Sequence, residues 1–177
     1  AYAQRELFTP LGIEASDWAR DEQGRHLGFR GLALRTRDMA RIGQLMLQRG
    51  HWDGRKLLPE DFALQASARQ NSGGPPVSLP FGYLWWVAPS NAARPPFVAS
   101  GFGGQFIWGD PGLELVIAAS SEVWPASAQR SQLDRPVGAG QPDVRSGRTQ
   151  QGERLTHGVV VRAADGIVRE KMLEAVD

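Results

Sequence analysis

Apolar residues recur at intervals of three and four between Met39 and Met46, where Met39, Ile42, Leu45 and Met46 form one stripe. The spacing predicts a helix from about Thr36 to Arg49. Thr36 is placed as its N-cap, Asp38 lies in the electropositive first turn, and Gly50 stands at the C′ position. A second helix is expected from Pro59, with Glu60 and Asp61 in its first turn, to near Arg69. Between the two, His51-Trp52-Asp53-Gly54 reads as a turn. The opening residues 1–8 read as the end of a helix that Thr9-Pro10-Leu11-Gly12 stops. No N-cap precedes them, so the expectation is that the sequence opens inside a longer domain. Residues 13–35 read as a loop anchored by Trp18, Phe29 and Leu32.

After a Gly/Pro/Ser loop over 71–80, the pattern changes to short aromatic and aliphatic runs at 83–87, 97–100, 105–108 and 114–119. Pro and Gly punctuate these runs, and Asp110-Pro111-Gly112 is a strong turn signal between the last two. Strands this close in sequence are most simply joined as an antiparallel meander. Beyond Trp124 the composition becomes rich in Gln, Arg, Ser, Gly and Pro. The organisation expected is a main unit over 1–125, a flexible polar linker over 126–158, and a closing piece over 159–177. In that piece, 159–161 reads as a short strand, and 166–176 as a helix with Ile167, Met172, Leu173 and Val176 loosely periodic.

Composition narrows the function classes. Twenty basic residues against nineteen acidic ones leave a net charge of +1, which gives no electrostatic reason to expect nucleic acid as partner. No run of eighteen apolar residues exists, so no membrane span is expected. Arginine dominates the bases, with Lys56 and Lys171 the only lysines, as in chains from GC-rich genomes. The absence of cysteine removes disulfide and thiolate chemistry. His26, His51 and His157 lie far apart and lack ligand spacing, so no metal site and no cofactor is expected. Asp17, Asp21 and Glu22 near Trp18 read as a solvated loop in which nothing pairs them. Trp85-Trp86 reads as core plus edge packing.

The stretch Ala99-Ser100-Gly101-Phe102-Gly103-Gly104-Gln105 places three glycines in a strand region. Glycine weakens a strand, so the run needs a reason. One is close approach of a ligand to backbone N–H groups that can face an oxyanion; the other is a bulge or a crowded strand crossing. No G-x-S-x-G elbow is present, because Val98 stands where the first glycine is needed.

Several blocks together resemble a known family. The run from Gly31 to Leu47, with Thr36-Arg37-Asp38-Met39-Ala40-Arg41-Ile42-Gly43 at its centre, is similar to the "T-x-x-D-M-A-R-F-G" helix of β-lactamase-related serine hydrolases. Gly50-His51-Trp52-Asp53-Gly54-Arg55-Lys56-Leu57-Leu58-Pro59 is similar to the segment just after that helix in those proteins. Phe81-Gly82-Tyr83-Leu84-Trp85-Trp86, the Ser100–Gln105 run, and Asp110-Pro111 with Leu113-Glu114-Leu115-Val116 match in order and spacing. The resemblance covers about residues 1–124 and points to the class C β-lactamase-like branch that includes 6-aminohexanoate-oligomer hydrolases and related esterases.

The resemblance implies an α/β (α+β) three-layer fold, an antiparallel sheet flanked by helices, incomplete here at the N-terminus. It implies acyl transfer without metal or cofactor on a small amide, ester or β-lactam substrate. A serine in S-x-x-K attacks the carbonyl, while a lysine and a tyrosine move protons. The family's K-T-G or H-x-G motif falls on Ala99-Ser100-Gly101, with Ala99 in place of the basic or imidazole residue. The backbone N–H of Phe102 would supply half of the oxyanion hole, and Ser100 a hydrogen-bonding group. Gly101, Gly103 and Gly104 would let substrate approach, and Gln105 would orient it. The 177 residues contain neither S-x-x-K nor Y-x-N, so a chain of this sequence alone is expected to be inactive. A degenerate homologue acting as a binding module, and a structural fragment without function, stand as the rival readings.

Overall fold

The computed structural model describes residues 2–14, 17–75, 77–101, 104–121, 155–164 and 167–174. A π-helix at Gln4–Phe8 opens it, closed by the Thr9 N–H on Gln4 O at 2.9 Å. Next come β1 (Asp17–Trp18) and β2 (Leu32–Ala33), α1 (Thr36–Leu47), β3 (His51–Trp52) and β4 (Arg55–Lys56), and α2 (Glu60–Ala66). The remaining strands are β5 (Trp86–Val87), β6 (Phe97–Ser100), β7 (Phe106–Asp110), β8 (Leu115–Ser121), β9 (Leu155–Ala164) and β10 (Ile167–Glu174). β5 to β10 form one antiparallel sheet in the order β10-β9-β8-β7-β6-β5, of which β5 to β8 are the meander that the spacing of the runs predicts. The mixed helix-and-antiparallel-sheet class expected from the sequence is the class observed.

Strand alternation fixes what covers the sheet. In register, Phe97 faces Gly109, Ala99 faces Ile107, and Val116 and Ala118 continue the same rows, so these residues share one face. Ala40, Met46 and Leu47 of α1 and Ala63 and Ala66 of α2 pack there with Phe97, Ile107, Val116 and Ala118 as one buried cluster. Both helices therefore lie on the same side of the sheet. A second cluster joins Leu45 of α1 to Phe8, Leu11 and Ile13. α1 can settle this low because of Gly43: a Cβ there would sit 2.7 Å from both Ile107 Cγ2 and Val116 Cγ1. Phe97 uses the same device within the sheet, its ring lying over Gly109.

The ends of α1 differ from expectation in an instructive way. Thr36 is the first helical residue and Arg35 the N-cap, with no side-chain capping bond. The Thr36 hydroxyl is used elsewhere, sharing a 2.8 Å hydrogen bond with the Ser120 hydroxyl of β8. At the other end Arg49, not Gly50, takes the left-handed C′ position at φ +55°. The Arg49 N–H reaches Met46 O at 3.1 Å and the Gly50 N–H reaches Leu45 O at 2.8 Å, the two bonds of a Schellman motif. The turn expected at His51–Gly54 is the hairpin of β3 and β4, with Asp53 and Gly54 both at positive φ as a two-residue type I′ connection requires. α2 is shorter than expected, ending where the Ser67 hydroxyl folds back on Ala63 O at 2.8 Å.

Three expectations are corrected. Residues 13–35 are not simply loop: β1 and β2 pair, and Trp18 Nε1 donates to Leu27 O at 2.7 Å. The short strand expected at 159–161 extends over Leu155–Ala164, which takes the end of the proposed linker into the sheet; residues 126–154 lie outside the described residues. The helix expected over 166–176 is instead strand β10, paired with β9 from Ile167↔Ala164 to Glu174↔His157. The physical reason is competition for backbone hydrogen bonds. β9 is already paired to β8 and offers its other edge with a β-branched Val159-Val160-Val161 centre, while the apolar residues of 167–176 fit a helix and a strand alike, so pairing decides.

Two substitutions on α1 test this packing by urea denaturation. Gly43→Ala inserts a methyl where two branched side chains already meet. The overpacking cost of about 1–3 kcal/mol, less about 1 kcal/mol from better helix propensity, predicts a net loss of up to about 2 kcal/mol. A raised midpoint would contradict the close seating of α1. Gln44 is 1% exposed and, among the described residues, neither its Oε1 nor its Nε2 has a hydrogen-bond partner. Replacing it with the similarly shaped Met should raise stability by about 1 kcal/mol, and a lower midpoint would mean that the amide is satisfied after all.

Candidate functional site

β6 ends at Ser100, which is exposed and directly opposite Phe106 in β7. Beyond it the Gly101 N–H donates to Gln105 O at 2.8 Å, drawing the chain back into β7. Gly104 has φ +83°, the left-handed region that glycine enters without strain. Phe102 and Gly103, the expected backbone donor and its neighbour, lie outside the described residues. Ala99 points to the helix-covered face and packs half-buried against the cluster around Phe97, so the structure gives it a packing environment. The half-buried Gln105 lies against Gly101, where an added Cβ would stand 3.4 Å from Gln105 Cβ and Oε1.

The backbone of Ser100 has a distinct setting. Because Gly101 directs its N–H toward β7, the two-residue alternation of a strand directs the groups of Ala99 the same way. Pro96 O accepts the Ala88 N–H at 2.8 Å, so residues 96, 98 and 100 direct theirs to the other side, toward β5. β5, however, pairs with β6 only through Trp86↔Val98 and Val87↔Phe97. The N–H and C=O of Ser100 therefore face an edge that β5 does not reach.

The reason β5 stops lies in a two-residue reversal. The Gly82 N–H donates to Trp85 O at 2.7 Å and Phe81 bridges to Trp86, leaving Tyr83 and Leu84 as the turn. Continuing the β5–β6 register would set Leu84 opposite Ser100. Leu84 instead adopts φ +64°, which no strand residue can hold and which costs a bulky residue on the order of 1–3 kcal/mol. The turn is pinned to α2: the Tyr83 N–H donates to Ala66 O at 3.0 Å, and the Tyr83 ring lies 6.2 Å from that of Phe62. Gly82 makes the approach feasible, since a Cβ there would collide with Ala66 O. Phe62, Tyr83 and Leu84 are all exposed large hydrophobic groups, at 47%, 44% and 60%. Sequence reasoning missed this trio, because a leucine in a left-handed turn leaves no compositional signal.

The remaining candidates fall where packing explains them. Trp85 meets Phe97 edge-on at 5.1 Å and Trp86 packs on Phe81 at 4.4 Å, as core-and-edge residues should. His26 stacks on Trp18 at 4.7 Å, and among the described residues no three histidines or carboxylates converge on a point that could hold a metal ion. Contrary to the expectation that nothing pairs the acidic cluster, Asp21 binds Arg25 at 2.8 Å, and its carboxyl is held below the usual range, chiefly by the Arg25 backbone N–H. The pKa of Arg35 is raised by its hydrogen bond to Asp38, and that of Arg94 is lowered by burial and then by Arg49. Among the described residues no helix is long and apolar enough to cross a membrane.

No family model matches the sequence, and no curated protein matches it. Several solved structures resemble it, two of them as follows. One is a protein assigned as a 6-aminohexanoate-dimer hydrolase from Bacillus anthracis, at 26% identity and a TM-score of 0.49 over 62% of this chain and 29% of that one. The other is a penicillin-binding protein homologue from Caulobacter crescentus, at 19% identity and a TM-score of 0.46 over 63% of this chain and 43% of that one. The chain thus spans less than half the length of either structure it resembles.

Proposed function

We propose that this chain supplies the oxyanion-side strand of a serine hydrolase that cleaves an amide, ester or β-lactam bond through an acyl-enzyme. The observation that carries the reading is the open edge at Ser100. There a backbone donor and acceptor are held rigidly at the end of a sheet strand, in the block Ser100-Gly101-Phe102-Gly103-Gly104-Gln105 that resembles the β-lactamase-related hydrolases. A carbonyl substrate laid along that edge meets fixed dipoles, which stabilise developing negative charge without reorganising. In this reading Phe102 contributes its N–H to the oxyanion and Ser100 hydrogen-bonds the substrate. Gly101, Gly103 and Gly104 leave room for it, and Ala99 and Gln105 line the approach. Ala99 supplies no charge for a substrate carboxylate, which favours neutral amides and esters over β-lactam acids.

The chemistry requires a serine nucleophile with a lysine and a tyrosine, and the 177 residues contain no S-x-x-K. That observation favours a second reading, a catalytically inactive homologue that keeps the edge and binds an amide group there without cleaving it. Magnitudes separate the two. Loss of an oxyanion donor costs about 2.7–4 kcal/mol, whereas loss of a nucleophile costs on the order of 10⁶ in rate.

Labelling with a fluorophosphonate or a fluorescent penicillin, applied to the 177-residue chain and to the complete gene product, decides between them. The hydrolase reading predicts that the chain alone stays unlabelled and the complete product labels. If neither labels while both are folded, the catalytic reading fails and the binding-module reading replaces it.

A further inference from the structure

Among the described residues six large hydrophobic side chains are exposed: Tyr2, Phe29, Phe62, Tyr83, Leu84 and Leu113. Three of the six gather at one place, the turn that ends β5 and the side of α2 that holds it. Isolated exposed apolar groups need no explanation, but a cluster of them at the turn that leaves Ser100 unpaired does. Leu84 adds a second, independent observation. It holds a left-handed conformation that glycine or asparagine would adopt with little strain, while burying little of its side chain. Neither packing nor turn geometry accounts for a leucine there. Its place does, because the turn stands where the next residue of β5 would have covered Ser100.

We propose that Phe62, Tyr83 and Leu84 form an apolar wall beside the Ser100 edge and select substrates by an uncharged, hydrocarbon-rich acyl group adjoining the bond held on that edge. The inference rests on the substrate-binding role proposed for Ser100 and adds the class of group recognised. The Tyr83 backbone fixes the wall through Ala66 O, and the Tyr83 hydroxyl reaches Gln65 Oε1 at 3.4 Å, so the phenol ring is held from both ends. Phe62 and Tyr83 meet at 33°, presenting two ring surfaces to one ligand. Apolar contact of this kind adds discrimination that grows with each buried methylene.

The test uses the 177-residue chain and two probes, phenylacetamide and acetamide, with backbone amide shifts read in NMR titrations. Phenylacetamide is expected to move the Ser100 and Leu84 amides saturably and to bind about tenfold more tightly than acetamide. Phe62→Ser should bring phenylacetamide down to the acetamide level while leaving acetamide unchanged. Leu84→Asn keeps the left-handed turn and should weaken phenylacetamide several-fold, so loss of binding cannot be attributed to a collapsed turn. Equal affinities for the two amides, unaltered binding in both variants, or shifts that spare Ser100 would each overturn the proposal. Probe labelling of the complete gene product judges the hydrolase reading separately. Labelling without amide discrimination removes only the apolar wall, and discrimination without labelling leaves the wall as part of a binding groove.

Discussion

The helical layer is anchored by a carboxylate that water does not reach. Asp38 is fully buried in the first turn of α1, with Arg35 Nε on one oxygen at 2.8 Å and Arg41 Nη1 on the other at 3.0 Å. Arg41 Nη1 also donates to Gly12 O at 2.6 Å, which ties the segment after the π-helix to the same point. A buried charge is tolerable only while paired, and Asp38 has a guanidinium on each oxygen. The helix dipole adds to the arrangement, since Asp38 sits at its positive end. α1, the second apolar cluster and the chain entering β1 are all registered against this one group.

From that anchor the structure transmits position outward to the candidate site. Gly43 lets α1 sit down on Ile107 and Val116, and the cluster they share with Phe97 brings in Ala63 and Ala66 of α2. Ala66 O then receives the Tyr83 N–H and so sets where β5 ends. The place at which Ser100 becomes uncovered is thus decided by core packing several residues away. A rigid support of this kind suits a site that works through backbone dipoles, because their aim depends on the strand and not on a rotamer.

Much of this is legible in the sequence. The stripe of Met39, Ile42, Leu45 and Met46 places α1, and the Phe97–Ser100 run gives β6 its observed bounds. Asp110-Pro111-Gly112 marks the β7–β8 turn, where Asp110 Oδ1 accepts the N–H groups of Gly112 and Leu113. The features that escape such a reading depend on distant partners. Thr36 resembles a cap because caps are local, yet its hydroxyl belongs to Ser120, far along the chain. Residues 167–174 carry an ambiguous pattern that strand pairing, a nonlocal term, resolves. The candidate run from Ala99 to Gln105 stands out through its glycines, but the open edge is set by Leu84, whose backbone angle has no signature in composition.

The same short edge bears on how this side of the sheet resists association with other strands. Unpaired strand edges invite other chains to add to a sheet, and long flat ones seed aggregates. Here, among the described residues, the part of β6 that faces β5 without being paired is Ser100, next to the Tyr83–Leu84 reversal. One donor and one acceptor can grip one planar amide or ester group, yet they offer a neighbouring strand no ladder to climb. Brevity at Ser100 thereby reconciles a sticky backbone with an edge that gives polymerisation no foothold.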